Sequence, residues 1–254
     1  MAGVVSKIIK LYHRRGLYQL GRKGVRYVYR ALATQYDTYI RPQLPRRLAT
    51  YNGVAVRGAR SFDTIVPWHT TNVPEYEGAL VRGIRENVGY GETVVVIGGG
   101  WGVSTVEAAE QVGVEGIVTT FEGAKEQLNR VEETVRLNGV DDRVSVRHAV
   151  VARAISLLGK QKAAEQLRSE DLPPCDVLVL DCEGAEVEIL QNMEIHPHTV
   201  IVESHGFLGT PKSQVQETLE DCGYRTISAD VADTRVERYC KNASIYVLVS
   251  KNNS

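Results

Sequence analysis

The sequence predicts an α/β fold: a doubly wound, mostly parallel seven-stranded sheet, preceded by a basic helical extension. Three observations predict it. From Thr93 onward, short β-branched runs alternate with stretches of helical periodicity. The first run, Thr93 to Ile97, passes directly into Gly98-Gly-Gly-Trp-Gly102 and then into a helix-like segment from Val103 to Val112, the strand–glycine turn–helix form of a nucleotide-type site. The charge is also divided. The whole chain carries a net charge of -1, yet residues 1–60 hold about +12 and the remainder about -13, counted as Lys and Arg against Asp and Glu.

Taken in order, residues 4–32 place Val4, Val5, Ile8, Leu11, Tyr12, Tyr27, Val28 and Leu32 at helical spacing, with Gly16, Gly21 and Gly24 dividing the stretch into pieces. Residues 41–50 read as a linker, because two prolines disfavour a helix there. Val54–Val56 and Phe62–Val66 suggest a short hairpin. The loop from Pro67 to Glu77 is rich in Trp, His, Thr and Tyr, so it is expected either to cover a site or to serve as a connection with Trp68 in the core. A helix is expected over 75–87. Strands then follow at 93–97, 116–121, 143–150, 176–181, 199–203, 224–228 and 244–250, with helices at 103–112, 123–138, 152–168, 184–192 and 211–222. Residues 229–243 show no helical pattern, so the last two strands are expected to pair antiparallel. The expected division is an extension over 1–66 and a Rossmann-like domain over 67–254.

The composition narrows the function classes. No apolar run is long enough to cross a bilayer, and the basic N-terminus lacks the continuous apolar stretch of a secretory signal. Four cysteines without C-x-x-C spacing read as buried thiols in a reducing compartment, which points to a cytoplasmic location. The basic segment over 1–60 suits peripheral contact with a membrane or another anionic surface, or docking on the acidic remainder of the same chain.

In an open α/β sheet, ligands bind beyond the carboxyl ends of the strands, so the residues at those ends carry the chemistry. Gly98, Gly100 and Gly102 give G-x-G-x-G, whereas the dinucleotide fingerprint needs glycine where Val103 stands. The spacing therefore points to S-adenosylmethionine rather than NAD, with Gly98, Gly99, Gly100, Trp101 and Gly102 forming the loop. Glu122 ends the second strand about 20 residues on, the place of a ribose-binding carboxylate. Ala149 ends the third, where small residues suit a flat purine. Asp181 ends the fourth, followed by Glu183 and Glu186 at a helix start, where the helix dipole favours acids. Those carboxylates suit a substrate hydroxyl or a cation, although no residue is assigned as a metal ligand from the sequence. Glu203 and His205 end the fifth strand, and His205 is the best-placed base by residue type. Trp68 and His69 join Glu183 and Glu203 as candidate substrate contacts.

Together, the glycine loop, Glu122, Asp181-Cys-Glu-Gly-Ala-Glu186 and Glu203-Ser-His205 resemble the FkbM-type family of S-adenosylmethionine-dependent methyltransferases, whose hallmark is similar to D-x-E-G-x-E after the fourth strand. The resemblance spans about residues 75–250. It implies the class I methyltransferase fold, with strand order 3-2-1-4-5-7-6 and the last strand antiparallel, and methyl transfer mostly to oxygen. In one respect the chain departs from the pattern: the acidic residue usual two positions before the first glycine is here Val96.

The expected activity is therefore S-adenosylmethionine-dependent O-methylation of a small hydroxylated acceptor, glycan and lipid-linked acceptors included. Asp181 or His205 would take the acceptor proton, and in-line attack on the sulfonium methyl needs alignment more than covalent help. RNA methylation through the basic N-terminus is the alternative enzyme reading. Nucleic acid is the less favoured partner, because the chain has Asp-Cys-Glu-Gly where amino-directed enzymes resemble [N/D]-P-P-[F/Y]. A non-catalytic binding protein on the same fold is the alternative outside enzymes.

Overall fold

The computed structural model describes residues 27, 29–152 and 164–253. The chain divides into two units, one made of residues 1–47 and 59–70, the other of residues 48–58 and 71–254. In the first unit, residues 29–35 are helical and lead into single turns over Tyr36–Ile40 and Arg41–Gln43. Trp68 anchors this unit, with the edge of Tyr29 5.1 Å away and that of Tyr36 6.0 Å away. The expected helical pieces before residue 27 lie outside the described residues.

Three strands follow: β1 (Arg46–Tyr51), β2 (Val54–Arg60) and the short β3 (Asn72–Val73), ordered β2-β1-β3. This corrects the expected hairpin, since β1 occupies the supposed linker and residues 62–66 form turns. The turn residues are Asn52 and Gly53, both at positive φ (50° and 91°). An Asn-Gly pair matches the strand twist in a two-residue hairpin loop, while Pro42 sits at the start of the Arg41–Gln43 turn and Pro45 directly precedes β1.

The main sheet is β4 (Thr93–Ile97), β5 (Ile117–Glu122), β6 (Val144–Val151), β7 (Glu165–Leu167), β8 (Val177–Leu180), β9 (Thr199–His205), β10 (Tyr224–Val231) and β11 (Ile245–Asn252). Its order is β10-β11-β9-β8-β4-β5-β6-β7, with β11 antiparallel to both neighbours. The seven expected strands thus take the expected order. The count is corrected from seven to eight by β7, which pairs parallel with β6 at the edge. β7 falls where a helix was expected over 152–168. Of that segment, residues 153–163 lie outside the described residues. Glu165 and Gln166 are exposed on the edge, so no apolar alternation betrays the strand.

The centre of the sheet is dry. Val94, Val95, Val96, Val177 to Leu180, and Val200 to Val202 are all fully buried, as a parallel sheet covered on both faces requires. The covering helices are α1 (Gly78–Asn87), α2 (Val103–Val112), α3 (Lys125–Leu137), α4 (Glu186–Asn192), α5 (Lys212–Asp221) and α6 (Glu237–Ala243). α1 turns Leu80, Val81 and Ile84 inward at i, i+1 and i+4 spacing. Burying each such side chain contributes about 2 kcal/mol. α6 corrects the expectation of no helix over 229–243. It buries only Cys240, so its sequence lacks the apolar stripe that reveals a packed helix.

Candidate active site

Every loop that matters leaves the carboxyl ends of β4, β5, β6, β8 and β9. The tips of β4, β5, β6 and β8 line a cleft of about 700 Å³ of empty space, part of it open to solvent. Gly98, Gly100, Glu122, Ala149, Asp181 and Glu183 line it. Among the expected cofactor residues, Gly99, Trp101 and Gly102 shape the loop without lining the cleft.

The glycine loop is dictated by backbone proximity. Gly98 has φ +93°, and a Cβ there would stand 1.8 Å from the Asp181 carbonyl oxygen, so any side chain would drive β4 and β8 apart. Gly102, at φ +82°, sets the entry to α2, and its carbonyl accepts from the Val106 amide. A Cβ at Gly102 would press on Val131 and Thr134 of α3 at 3.1–3.3 Å. Beside the loop, Trp101 meets the edge of Tyr51 at 5.8 Å and lies under the Arg130 guanidinium at 4.8 Å.

Glu122 is built into this loop. One carboxylate oxygen accepts from the Gly99 and Gly100 amides at 3.0 and 3.3 Å, and the other accepts from the Ala124 amide at 2.7 Å. Since each carboxylate oxygen has two acceptor positions, the second oxygen keeps one free toward the cleft. Val96 lies fully buried in β4, paired with Thr120 and Val179. A carboxylate at that position would need a partner in a dry core.

Beside the cleft, the expected catalytic pair Asp181 and His205 meets Glu203. His205 Nε2 lies 3.5 Å from Asp181 Oδ1 and 3.7 Å from Glu203 Oε1. Its Nδ1 is 2.6 Å from Glu186 Oε1. Glu186 is completely buried and also accepts from the Gly184 amide at 3.1 Å and the Thr210 hydroxyl at 2.9 Å. The sequence offers Glu186 a place at a helix start; in the structure its shortest contact is with the imidazole.

The electrostatics follow from burial and crowding. Burial alone would lower the His205 pKa, but the Glu186 hydrogen bond and the charges of Asp181 and Glu186 raise it. For Glu186, burial pulls upward and is outweighed by the His205 bond and charge, so its carboxyl sits below the usual range. Burial pushes Asp181 up, aided by Glu186 and Glu122 against His205. Burial also holds Glu203 well above its usual value, together with the charges of Asp181 and Glu77. Glu77 rises to about 8 through burial and the Asp181 charge.

Glu77 was not singled out in the sequence. It holds a left-handed conformation (φ 48°) at the start of α1, and its Oε1 comes within 4.0 Å of where a Gly100 Cβ would stand. Nothing in its spacing foretells this, because α1 precedes the whole Rossmann-like alternation. Trp68 and His69 both engage Asp37 within the first unit, through Trp68 Nε1 at 3.3 Å and His69 Nε2 at 2.6 Å.

The fold is methyltransferase-like, an α/β arrangement around a mostly parallel central sheet. Among solved structures, the chain is similar to a ribosomal protein L11 methylase from Lactobacillus delbrueckii subsp. bulgaricus, with TM-score 0.50 and 14% identity over 71% of this chain and 80% of that one. It is also similar to a Pyrococcus horikoshii protein assigned as a transferase, with TM-score 0.52 and 15% identity over 81% of this chain and 71% of that one. At these identities the likeness establishes a shared fold. No protein-family model and no curated protein matches the chain.

Proposed function

We propose that this protein is an S-adenosylmethionine-dependent methyltransferase of FkbM type, acting on the oxygen of a small hydroxylated or sugar-containing acceptor. The observation that carries the reading is the cleft itself. Gly98, Gly100, Glu122, Ala149 and Asp181 all line one space at the strand ends of a methyltransferase-like sheet, and one similar fold belongs to a methylase. In this reading Glu122 receives a ribose hydroxyl on its open acceptor position, and Ala149 lies under the adenine. Glu77 serves the cofactor's amino group in place of the acid that Val96 lacks, since it stands beside Gly100.

Asp181 and His205 are the proposed catalytic groups. Asp181 reaches in from the cofactor cleft, and His205 stands behind it, oriented by Glu186. Glu183 and Glu203 contact the acceptor. Alignment of the acceptor oxygen with the sulfonium methyl is the main service the site provides, because the leaving group is already activated.

Calorimetry with S-adenosylmethionine tests the cofactor assignment: saturable 1:1 binding is expected, and no binding by the folded protein would leave a binding scaffold instead. Methyl-labelled cofactor in a cell extract, followed by mass spectrometry, identifies the acceptor. Label appearing in RNA would move the reading to nucleic acid.

A further inference from the structure

Asp181, Glu203 and His205 each turn one ligand-type atom toward a common point, all within 4.8 Å of one another. The imidazole nitrogen faces both carboxylates at 3.5 and 3.7 Å, too far for strong hydrogen bonds. Neighbouring ligand atoms around one divalent ion stand roughly 3–3.4 Å apart, given metal–ligand distances of about 2.0–2.4 Å. The three atoms thus stand wider apart than in a coordination shell and would draw together around an ion.

Two further features separate this cluster from a chance gathering of acids. The His205 side chain is only 8% exposed, and while its Nδ1 is fixed by Glu186, its Nε2 makes no hydrogen bond among the described residues. A histidine whose far nitrogen is held by a carboxylate is oriented as metal-binding histidines are, with the near nitrogen presented to the ion. Glu203 is also largely enclosed, its side chain 13% exposed, and makes no hydrogen bond among the described residues. A buried carboxylate without donors is costly unless a cation completes it.

We infer that Asp181 Oδ1, Glu203 Oε1 and His205 Nε2 form a binding site for a divalent cation such as Mn²⁺, beside the cofactor cleft. Mixed oxygen and imidazole ligands suit such an ion. Three protein ligands leave coordination positions open. Because Asp181 lines the cleft, a bound ion would adjoin it. The ion's task rests on the methyltransferase reading; its binding does not. A bound ion, held by Asp181, Glu203 and His205, would polarise an acceptor hydroxyl. The hydroxyl proton would pass to water as its oxygen bonds to the sulfonium methyl, and the carbon–sulfur electron pair would return to sulfur as a neutral thioether.

The test is titration of the metal-free full chain with Mn²⁺, followed by electron paramagnetic resonance of the free ion, in parallel with S-adenosylmethionine calorimetry in a chelator. One ion per chain is expected. Glu203→Gln and Asp181→Asn should each weaken Mn²⁺ binding at least 10-fold, Glu186→Gln roughly 10-fold through His205, and Glu188→Gln, on the exposed side of α4, not at all. Circular dichroism confirms that each variant is folded. No Mn²⁺ binding up to millimolar concentration, or binding unchanged in Glu203→Gln and Asp181→Asn, overturns the site. Cofactor binding without Mn²⁺ binding would reject the metal site alone. Mn²⁺ binding without cofactor binding would reject the methyltransferase reading alone.

Discussion

Glu122 lines the cleft and Glu203 lies near Asp181, which also lines it, and the fold treats the two acids oppositely. Glu122 accepts three backbone amides from the loops it joins. Glu203 accepts none among the described residues and has only an imidazole at 3.7 Å. A carboxylate completed by backbone donors is part of the scaffold and shapes a pocket whether or not a ligand is present. One left without donors carries a desolvation cost when ionised, which a proton or a ligand offsets. The Glu122 side is therefore preorganised by the chain itself, while the Glu203 side is not.

The strongest test of the preorganised side is Gly98→Ala. Its Cβ would collide with the Asp181 carbonyl at 1.8 Å in a conformation that L-residues avoid. Loss of about 3 kcal/mol or more of stability is expected, with cofactor binding abolished; thermal unfolding and calorimetry check this. Unchanged binding would mean that the loop is not the cofactor cradle.

Glu186→Ala should be nearly as damaging, costing about 3 kcal/mol, because it strands His205 in a buried site. Chemical denaturation would read the loss, and full stability would show that the pair is dispensable. The contrast itself is broken or sharpened by two isosteric changes. Glu122→Gln should lose about 2 kcal/mol of stability and weaken the cofactor at least 10-fold, since one amide donor would face an NH₂ group. Glu203→Gln, measured with chelator present, should instead stabilise the protein by about 1 kcal/mol. If both changes destabilise equally, the distinction between the two sides fails.

The smallest expected effect lies in the first unit, at another satisfied acid. Asp63 accepts from Arg41 Nε and Nη2 at 3.1 and 2.8 Å and from the Arg60 amide at 2.7 Å. Burial pulls its pKa upward, but those hydrogen bonds and the Arg41 charge win, so it lies below 3.8. A depressed carboxyl adds stability that is complete above its unfolded pKa and lost as pH falls through its folded one. Acid unfolding should therefore steepen below about pH 4, and Asp63→Asn should flatten that fall. Parallel acid profiles for the two proteins would exclude the linkage.

Much of this architecture is legible in the chain. The strand and helix alternation of 93–252, the glycine loop and the acids at the tips follow from local periodicity and turn chemistry. α2 and β4 occur where spacing places them, since their apolar residues are both locally patterned and buried. The exceptions share one cause. β7 and α6 bury almost nothing, so no apolar pattern marks them. Two prolines before the Asn52-Gly53 turn disfavour regular structure, so β1 reads as a linker in the sequence.

The site divides along the same line. Sequence alone places Gly98 to Gly102, Glu122, Asp181, Glu203 and His205 at strand ends, because strand order and strand polarity decide where their tips emerge. It does not show that Glu186 grips His205 rather than capping a helix, that Glu122 is already bonded to the loop, or that Glu77 reaches Gly100. Those facts depend on which side chains meet across elements far apart in the chain, and close packing in three dimensions decides that. Local spacing carries no record of it.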